Sequence, residues 1–198
     1  WAYFNLEPST PGEISGRYEL KDAAQDRYDA VETTFRRAFK RGNLMMVSYV
    51  RSMARSNAVL DFDLENPIFA QQAGGPLPWD APNRLLSWGL VPLIKKFDLA
   101  YTLDWRSGFP FSVFNQNQQL VGSPDSLRMP AYFSADAALE RRISLFGFKW
   151  DVRAGFNDLT GRHNPYAVND NIDSPEFLTY SSTQSRTLQA QIRLLGRK

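Results

Sequence analysis

The side chains that could carry chemistry are few and poorly placed for it. The single histidine, His163, sits between Arg162 and Asn164, and with no cysteine in the chain and no carboxylates at ligand spacing it makes a poor metal site. A histidine in a surface loop is the simpler reading. DFDLEN (residues 61–66) gathers three carboxylates, yet it lacks the glycine and terminal bidentate glutamate of a calcium-binding EF-hand loop. It reads as a solvated loop. QQAGGPLP (71–78) and RSGF (106–109) hold glycines with no helix to follow, so they are turns and not phosphate cradles. SWG (87–89) and the scattered serines have no histidine and aspartate company to activate a nucleophile. No catalytic residue, metal ligand or cofactor is expected.

What remains is recognition chemistry: aromatic rings that stack and amides or carboxylates that hydrogen-bond. Trp79, Asp80, Asn115, Gln116, Asn117, Asn164 and Tyr166 have such side chains, and all fall in stretches rich in Gly, Pro, Asn and Asp. Their use depends on the scaffold that carries those stretches.

Composition narrows that scaffold. A chain of 198 residues that is 43% hydrophobic and 14% aromatic folds or belongs to something that folds. With 23 basic against 21 acidic residues it offers no general electrostatic footprint for nucleic acid. A mean hydropathy of -0.40 and the lack of a long apolar run exclude a helical membrane protein. A membrane β-barrel stays open, because only alternate residues of its strands touch lipid. The opening WAYFNLEPST has neither an initiator methionine nor a signal-like apolar core, which suggests a fragment whose targeting segment lies elsewhere.

Period-two alternation marks eight segments. The clearest is FKWDVRAGFN (148–157), which sets Phe148, Trp150, Val152, Ala154 and Phe156 against Lys149, Asp151, Arg153, Gly155 and Asn157. KFDLAYTLDWR (96–106) and RTLQAQIRLL (186–195) repeat the pattern. AYFSADAALERRISLF (131–146) does so with Arg141 as its exception. RYELKD (17–22), NLMMVSYVRSMA (43–54) and RLLSWGLVPLI (84–94) are further strand candidates, the last with Leu86, Trp88 and Leu90 on one face. YDAVETTFRRAFKR (28–41) is ambiguous. Val31, Thr33, Phe35 and Phe39 suit a strand, with Arg37 out of pattern, but Val31, Phe35 and Phe39 also recur at helical spacing ahead of Gly42.

Alternation is equally expected of a soluble antiparallel sandwich with one wet face. The connections decide between the two. Tight turns around Gly42, at 92–95 and at Phe146-Gly147 alternate with long loops at 55–83, 107–129 and 158–185. Three such loops on every second connection are odd in a compact soluble domain and are the rule in outer-membrane barrels. The last strand then ends on the periplasmic side. Tyr101, Trp105, Phe148, Trp150 and Phe156 are candidates for the two aromatic girdles at headgroup level, and equally for filling a sandwich core.

PWDAPNRLLSWG (78–89), LDWRSGFPFSV (103–113) and RMPAYFSADAALERRISLFGFKWDVRAGFNDLTGRHNP (128–165), with a final strand running to the chain end, resemble the carboxy-terminal barrel of TonB-dependent outer-membrane receptors. The likeness is to the large receptors carrying a carboxypeptidase-regulatory-like domain, and it covers residues 17–198. It implies an all-β fold: an antiparallel up-and-down transmembrane β-barrel, of which this chain is about the last eight strands of roughly 22, with residues 1–16 as a preceding loop or strand end. It also implies a plug domain and a TonB box upstream, TonB and outer-membrane lipid as partners, a scarce solute as cargo (siderophore, glycan, vitamin or peptide) and the bacterial outer membrane as location. The chain departs from the family in ending LLGRK, without the usual terminal aromatic. Two other readings remain open: a small eight-stranded outer-membrane barrel for adhesion or anchoring, and a secreted β-sandwich carbohydrate-binding module.

Overall fold

A computed structural model describes residues 3–5, 17–19, 24–60, 73–182 and 185–197. DFDLEN therefore lies outside the described residues. The strands are β1 Tyr3–Asn5, β2 Arg17–Glu19, β3 Asp26–Ala38, β4 Leu44–Ser56, β5 Gly75–Pro76, β6 Asn83–Pro92, β7 Asp98–Arg106, β8 Pro110–Phe111, β9 Leu127–Arg128, β10 Tyr132–Leu145, β11 Phe148–Asn157, β12 Ala167–Val168, β13 Tyr180–Ser181 and β14 Thr187–Arg197. The protein is all-β and its strands pair antiparallel.

Seven long strands run in the order β3-β4-β6-β7-β10-β11-β14, each beside its neighbour in sequence, and β5 adds two residues beside β4. The sheet does not close. Among the described residues β3 and β14 are its two edges. The expected eighth strand, at 17–22, is found as β2, which pairs with β1 in a separate two-stranded sheet. The helical alternative for 28–41 is also removed: all thirteen residues of β3 pair with β4, so backbone groups that a helix would satisfy internally are satisfied laterally.

Short connections (39–43, 93–97, 146–147) gather at one end of the sheet, here the turn end, and the long ones at the other, the loop end. At the turn end Asn43 donates its side-chain amide to Asp98 across 2.8 Å and so ties the first turn to the second. Phe146 and Gly147 both have positive φ, 54° and 76°, as a two-residue hairpin turn of the primed type requires.

Register assigns the faces. Trp150 and Val152 lie opposite Ile143 and Arg141 on β10 and opposite Leu194 and Ile192 on β14, and the same side carries Leu99, Leu103 and Trp105 on β7, Val47 and Tyr49 on β4, and Val31 and Phe35 on β3. We call this the apolar face. In the long strands every carboxylate except Asp29 is on the other side, together with Arg142, Lys149, Arg153, Gln189, Gln191 and Arg193. In β6 the expected trio does share one face, but that face is the polar one. Leu86, Trp88 and Leu90 pair with Ser48, Met46 and Leu44 on the polar face, while Leu85, Ser87, Gly89 and Val91 share the apolar one. Both sides of β6 are greasy, so alternation within the strand cannot label them and only its neighbours can.

Gly89 has a specific reason to be glycine. A Cβ there would lie 2.5 Å from the Leu44 carbonyl oxygen and 3.3 Å from the Tyr101 ring, which lies against the bare backbone. Beside it Ser87 bonds the Met46 carbonyl and the Tyr101 hydroxyl, so the polar atoms of this greasy patch need no water.

Burial runs opposite to a water-soluble sheet. Of the seven buried residues in the long strands, Ser87 alone is on the apolar face; Ser48, Ala54, Ser56, Asp98, Ala100 and Glu140 are on the polar one. Val31, Leu188 and Ile192, on the apolar face, are each 70% exposed. Among the described residues the buried apolar cluster lies at the loop end, where Ala54, Val59 and Leu77 pack together.

Candidate functional site

The three long loops form a joined canopy. Each loop is short of regular backbone pairing, and small devices supply it: hairpins β8-β9 and β12-β13, and a parallel bridge between Phe114 and Asn171 that links the second loop to the third. Phe114 N–H donates to the Asp170 carbonyl at 3.1 Å, and Ile172 N–H returns the bond to Phe114 at 2.8 Å. The first and second loops meet where Arg128 forms an ion pair with Asp80 and donates to the carbonyls of Asp80 and Gly108. Gly108 is pinned at the base of the β8-β9 hairpin, since a Cβ would overlap the Met129 carbonyl oxygen.

The candidate residues divide into those that hold the canopy and those that face out of it. Asp80, 3% exposed, accepts the Ala54 backbone N–H at 2.7 Å as well as the Arg128 guanidinium. Its carboxylate is spoken for. Asn115 accepts the N–H groups of Asn117 and Gln119 and donates to the Gln119 side chain. Asn164, buried, imitates a neighbouring strand by accepting from Phe133 N–H and donating to Phe133 carbonyl. The side chains of Trp79, Gln116, Asn117 and Tyr166 are exposed.

Trp79 does not stand alone. Its ring centroid is 5.9 Å from that of Tyr28, an exposed residue at the loop end of β3 on the polar face, and two open rings at the canopy's rim make a stacking platform. On the same face Arg106 lies over both Phe109, at 4.3 Å, and Tyr132, at 4.6 Å, and Arg84 grips Asp104 with two bonds of 3.0 and 3.3 Å. Sequence reasoning passed over Tyr28, Arg106, Phe109 and Tyr132. The spacing of Arg106 and Phe109 was the available signal, but Tyr132 reaches Arg106 only through the β7-β10 register.

Below the canopy the polar face holds a groove of about 570 Å³ lined by Asp136, Ala138, Arg153, Gly155, Asn157, Gln189 and Gln191. Gly155 shapes it. A Cβ at that position would meet Ala138 Cα and Cβ at 2.4 and 2.5 Å, so β10 and β11 approach closely only because the residue has no side chain. A carboxylate, a guanidinium and three carboxamides around a groove suit a hydroxyl-rich or otherwise polar solute. Among the described residues no group of three or more His, Asp or Glu is placed to hold a metal ion.

Burial raises the pKa of two canopy carboxyls. Asp125 is raised by desolvation, opposed by the Ser112 hydroxyl that bonds it and by the charge of Arg128. Asp170 is raised by desolvation against its own backbone hydrogen bond. Both sit in the loops that bridge to each other. No family model, curated protein or solved structure matches this chain.

Proposed function

We propose that this chain is the barrel portion of a TonB-dependent outer-membrane receptor that takes up a scarce solute in the bacterial outer membrane. The observation that carries the reading is the inverted burial: large apolar side chains stand open on one face, while the buried residues of the long strands, two carboxylates, two hydroxyls and two alanines, are on the other, apart from Ser87. In water that arrangement exposes what folding should hide. Against hydrocarbon it is the stable arrangement, with the polar face turned to a wet lumen. A sandwich module would need the apolar face covered, and among the described residues nothing covers it.

Connectivity supports the same reading. Strands β3 and β14 run in the same direction, being separated by six antiparallel steps, so the two edges cannot pair antiparallel with each other. Closure takes an odd number of further strands, which a larger even-numbered barrel would provide. The canopy then faces outward, where Trp79, Tyr28 and Tyr166 meet solute first, and the groove around Gly155 lies on its way inward past a plug that TonB would move.

This chain has no cysteine, so once any cysteine elsewhere in the full-length protein is replaced by serine, single cysteines report on each face. In the full-length protein reconstituted into vesicles, a fluorophore at Val152→Cys is expected to be quenched by brominated lipid and one at Arg153→Cys by aqueous iodide. Equal quenching of both by iodide would sink the receptor reading.

A further inference from the structure

Six arginines lie on the apolar face, and three of them form a set. Arg37 on β3, Arg141 on β10 and Arg197 on β14 are all at the turn end, and each holds its guanidinium over a phenylalanine ring: Arg37 over Phe39 at 5.1 Å, Arg141 over Phe97 at 4.9 Å, Arg197 over Phe148 at 5.8 Å. The three contacts are made differently, from a strand to the turn that follows it, from a strand to the turn of a neighbouring hairpin, and across a strand pair. Their repetition is therefore not a by-product of one local motif.

The outer two, Arg37 and Arg197, define a line that passes near Arg141, which is four residues of β10 nearer the turn end than Ala137. Following cross-strand partners from Arg37 leads through Met45, Gly89, Tyr101, Ala137 and Phe156 to Leu188. Arg197 lies opposite Phe148, eight residues of β11 nearer the turn end than Phe156. Eight residues of slip over six strand-to-strand steps, at about 3.3 Å per residue and about 4.8 Å per step, is an inclination of about 42°. Membrane-barrel strands tilt by about 35–45°, so the line joining the arginines is level in a membrane that such strands cross. The three short turns step the same way along the sheet, after Ala38, Pro92 and Leu145.

Among the described residues nothing neutralises these charges. None of the ion pairs among the described residues includes Arg37, Arg141 or Arg197, and Asp29, the one carboxylate on this face, is at the loop end paired with Arg27. A guanidinium stacked on a ring spends its face and keeps its in-plane N–H fork free, the geometry that suits a phosphate. Just toward the loop end of this line the apolar face presents Leu99, Leu139 and Val152, surface for an acyl chain.

We infer that Arg37, Arg141 and Arg197, each braced on its phenylalanine, form a ring of sites for the headgroup phosphates of anionic glycerophospholipids in the leaflet at the turn end. The inference rests on the membrane-facing reading of the apolar side, and deepens it by naming the lipid.

The test uses the full-length protein in vesicles of phosphatidylcholine with and without 30% phosphatidylglycerol, about 30% being enough to give the surface a negative potential. Bound phosphatidylglycerol is counted by native mass spectrometry after gentle detergent extraction. Each Arg→Gln change is expected to weaken retention about fivefold, and the triple variant to abolish selectivity over phosphatidylcholine. Phe97→Leu, which keeps Arg141 but removes its brace, gives a smaller loss in the same direction and serves if the triple variant fails to assemble. Undiminished phosphatidylglycerol retention in a correctly inserted Arg variant overturns the inference and leaves the receptor reading standing. Displacement of the lipid by millimolar inorganic phosphate also overturns it, assigning the arginines to free phosphate. Failure of the unaltered protein to insert into either vesicle overturns both.

Discussion

The canopy and the strand span follow opposite rules of burial within one chain. At the loop end Val59, Leu77, Phe111 and Val113 are buried, and Asp80 and Asn164 are enclosed with their hydrogen-bond partners. In the span Val31, Phe35, Leu139, Leu188 and Ile192 stand open on the apolar face, and the buried residues, Ser87 apart, are on the polar one. One sequence cannot minimise its free energy both ways in one solvent. Under the receptor reading proposed above, the two regions face different media, water around the canopy and hydrocarbon around the span, with the transition where the apolar face gives way to Arg27, Arg51 and Arg55 on β3 and β4.

The strongest challenge to that contrast is to make one substitution on both faces of a single strand. Leu103 on the apolar face and Thr102 on the polar face are adjacent near the middle of β7. Leu103→Arg is expected to destabilise the inserted protein by about 2–4 kcal/mol, the cost of a guanidinium near the bilayer midplane. Thr102→Arg, opposite Asp136, stays within about 0.5 kcal/mol. Urea titration in vesicles, read by heat-modifiable gel mobility, measures both, and equal losses would erase the distinction between the faces.

A second substitution tests the canopy by the rule for water. Asp80→Ala leaves the Ala54 N–H and the Arg128 guanidinium without their acceptor, for a cost of about 2 kcal/mol. The loss is local. Protease is expected to cut between 107 and 129 much faster while gel mobility of the span is unchanged; a matching fall in span stability would mean that the two regions are one cooperative unit.

Sequence exposed the span far better than the canopy, for a physical reason. Period-two patterning is a local property, so β7, β10, β11 and β14 were legible within a few residues at their ends, and the tight turns followed from Gly42 and Phe146-Gly147. β6 shows where this fails: with apolar residues on both sides, its faces are set by Tyr49 and Trp105 in other strands. The canopy is built from contacts between residues far apart in sequence, such as Asp80 with Arg128 and Phe114 with Asn171. Polar loop residues that look alike in sequence thus part company in the fold, Asp80 and Asn164 enclosed as fasteners, Trp79 and Tyr166 left open.

The smallest expected effect concerns acidity. Asp125 is enclosed in the canopy, with Ser112 bonded to one carboxylate oxygen and the other oxygen without a partner, and desolvation holds its pKa above the usual carboxylate range despite Arg128. The folded canopy therefore keeps this proton at a pH where the unfolded loop has released it. Its contribution is most favourable in acid and is lost as pH rises from the ordinary carboxylate value to the raised one. Asp170, raised by the same cause in the loop bridged to it, acts in the same direction. Backbone hydrogen exchange at Val113 and Phe114 is expected to speed up between mildly acidic and neutral pH, after correction for the intrinsic pH dependence of exchange, and Asp125→Asn to flatten that response. A response of the same size in the variant would trace the acidity to some other group.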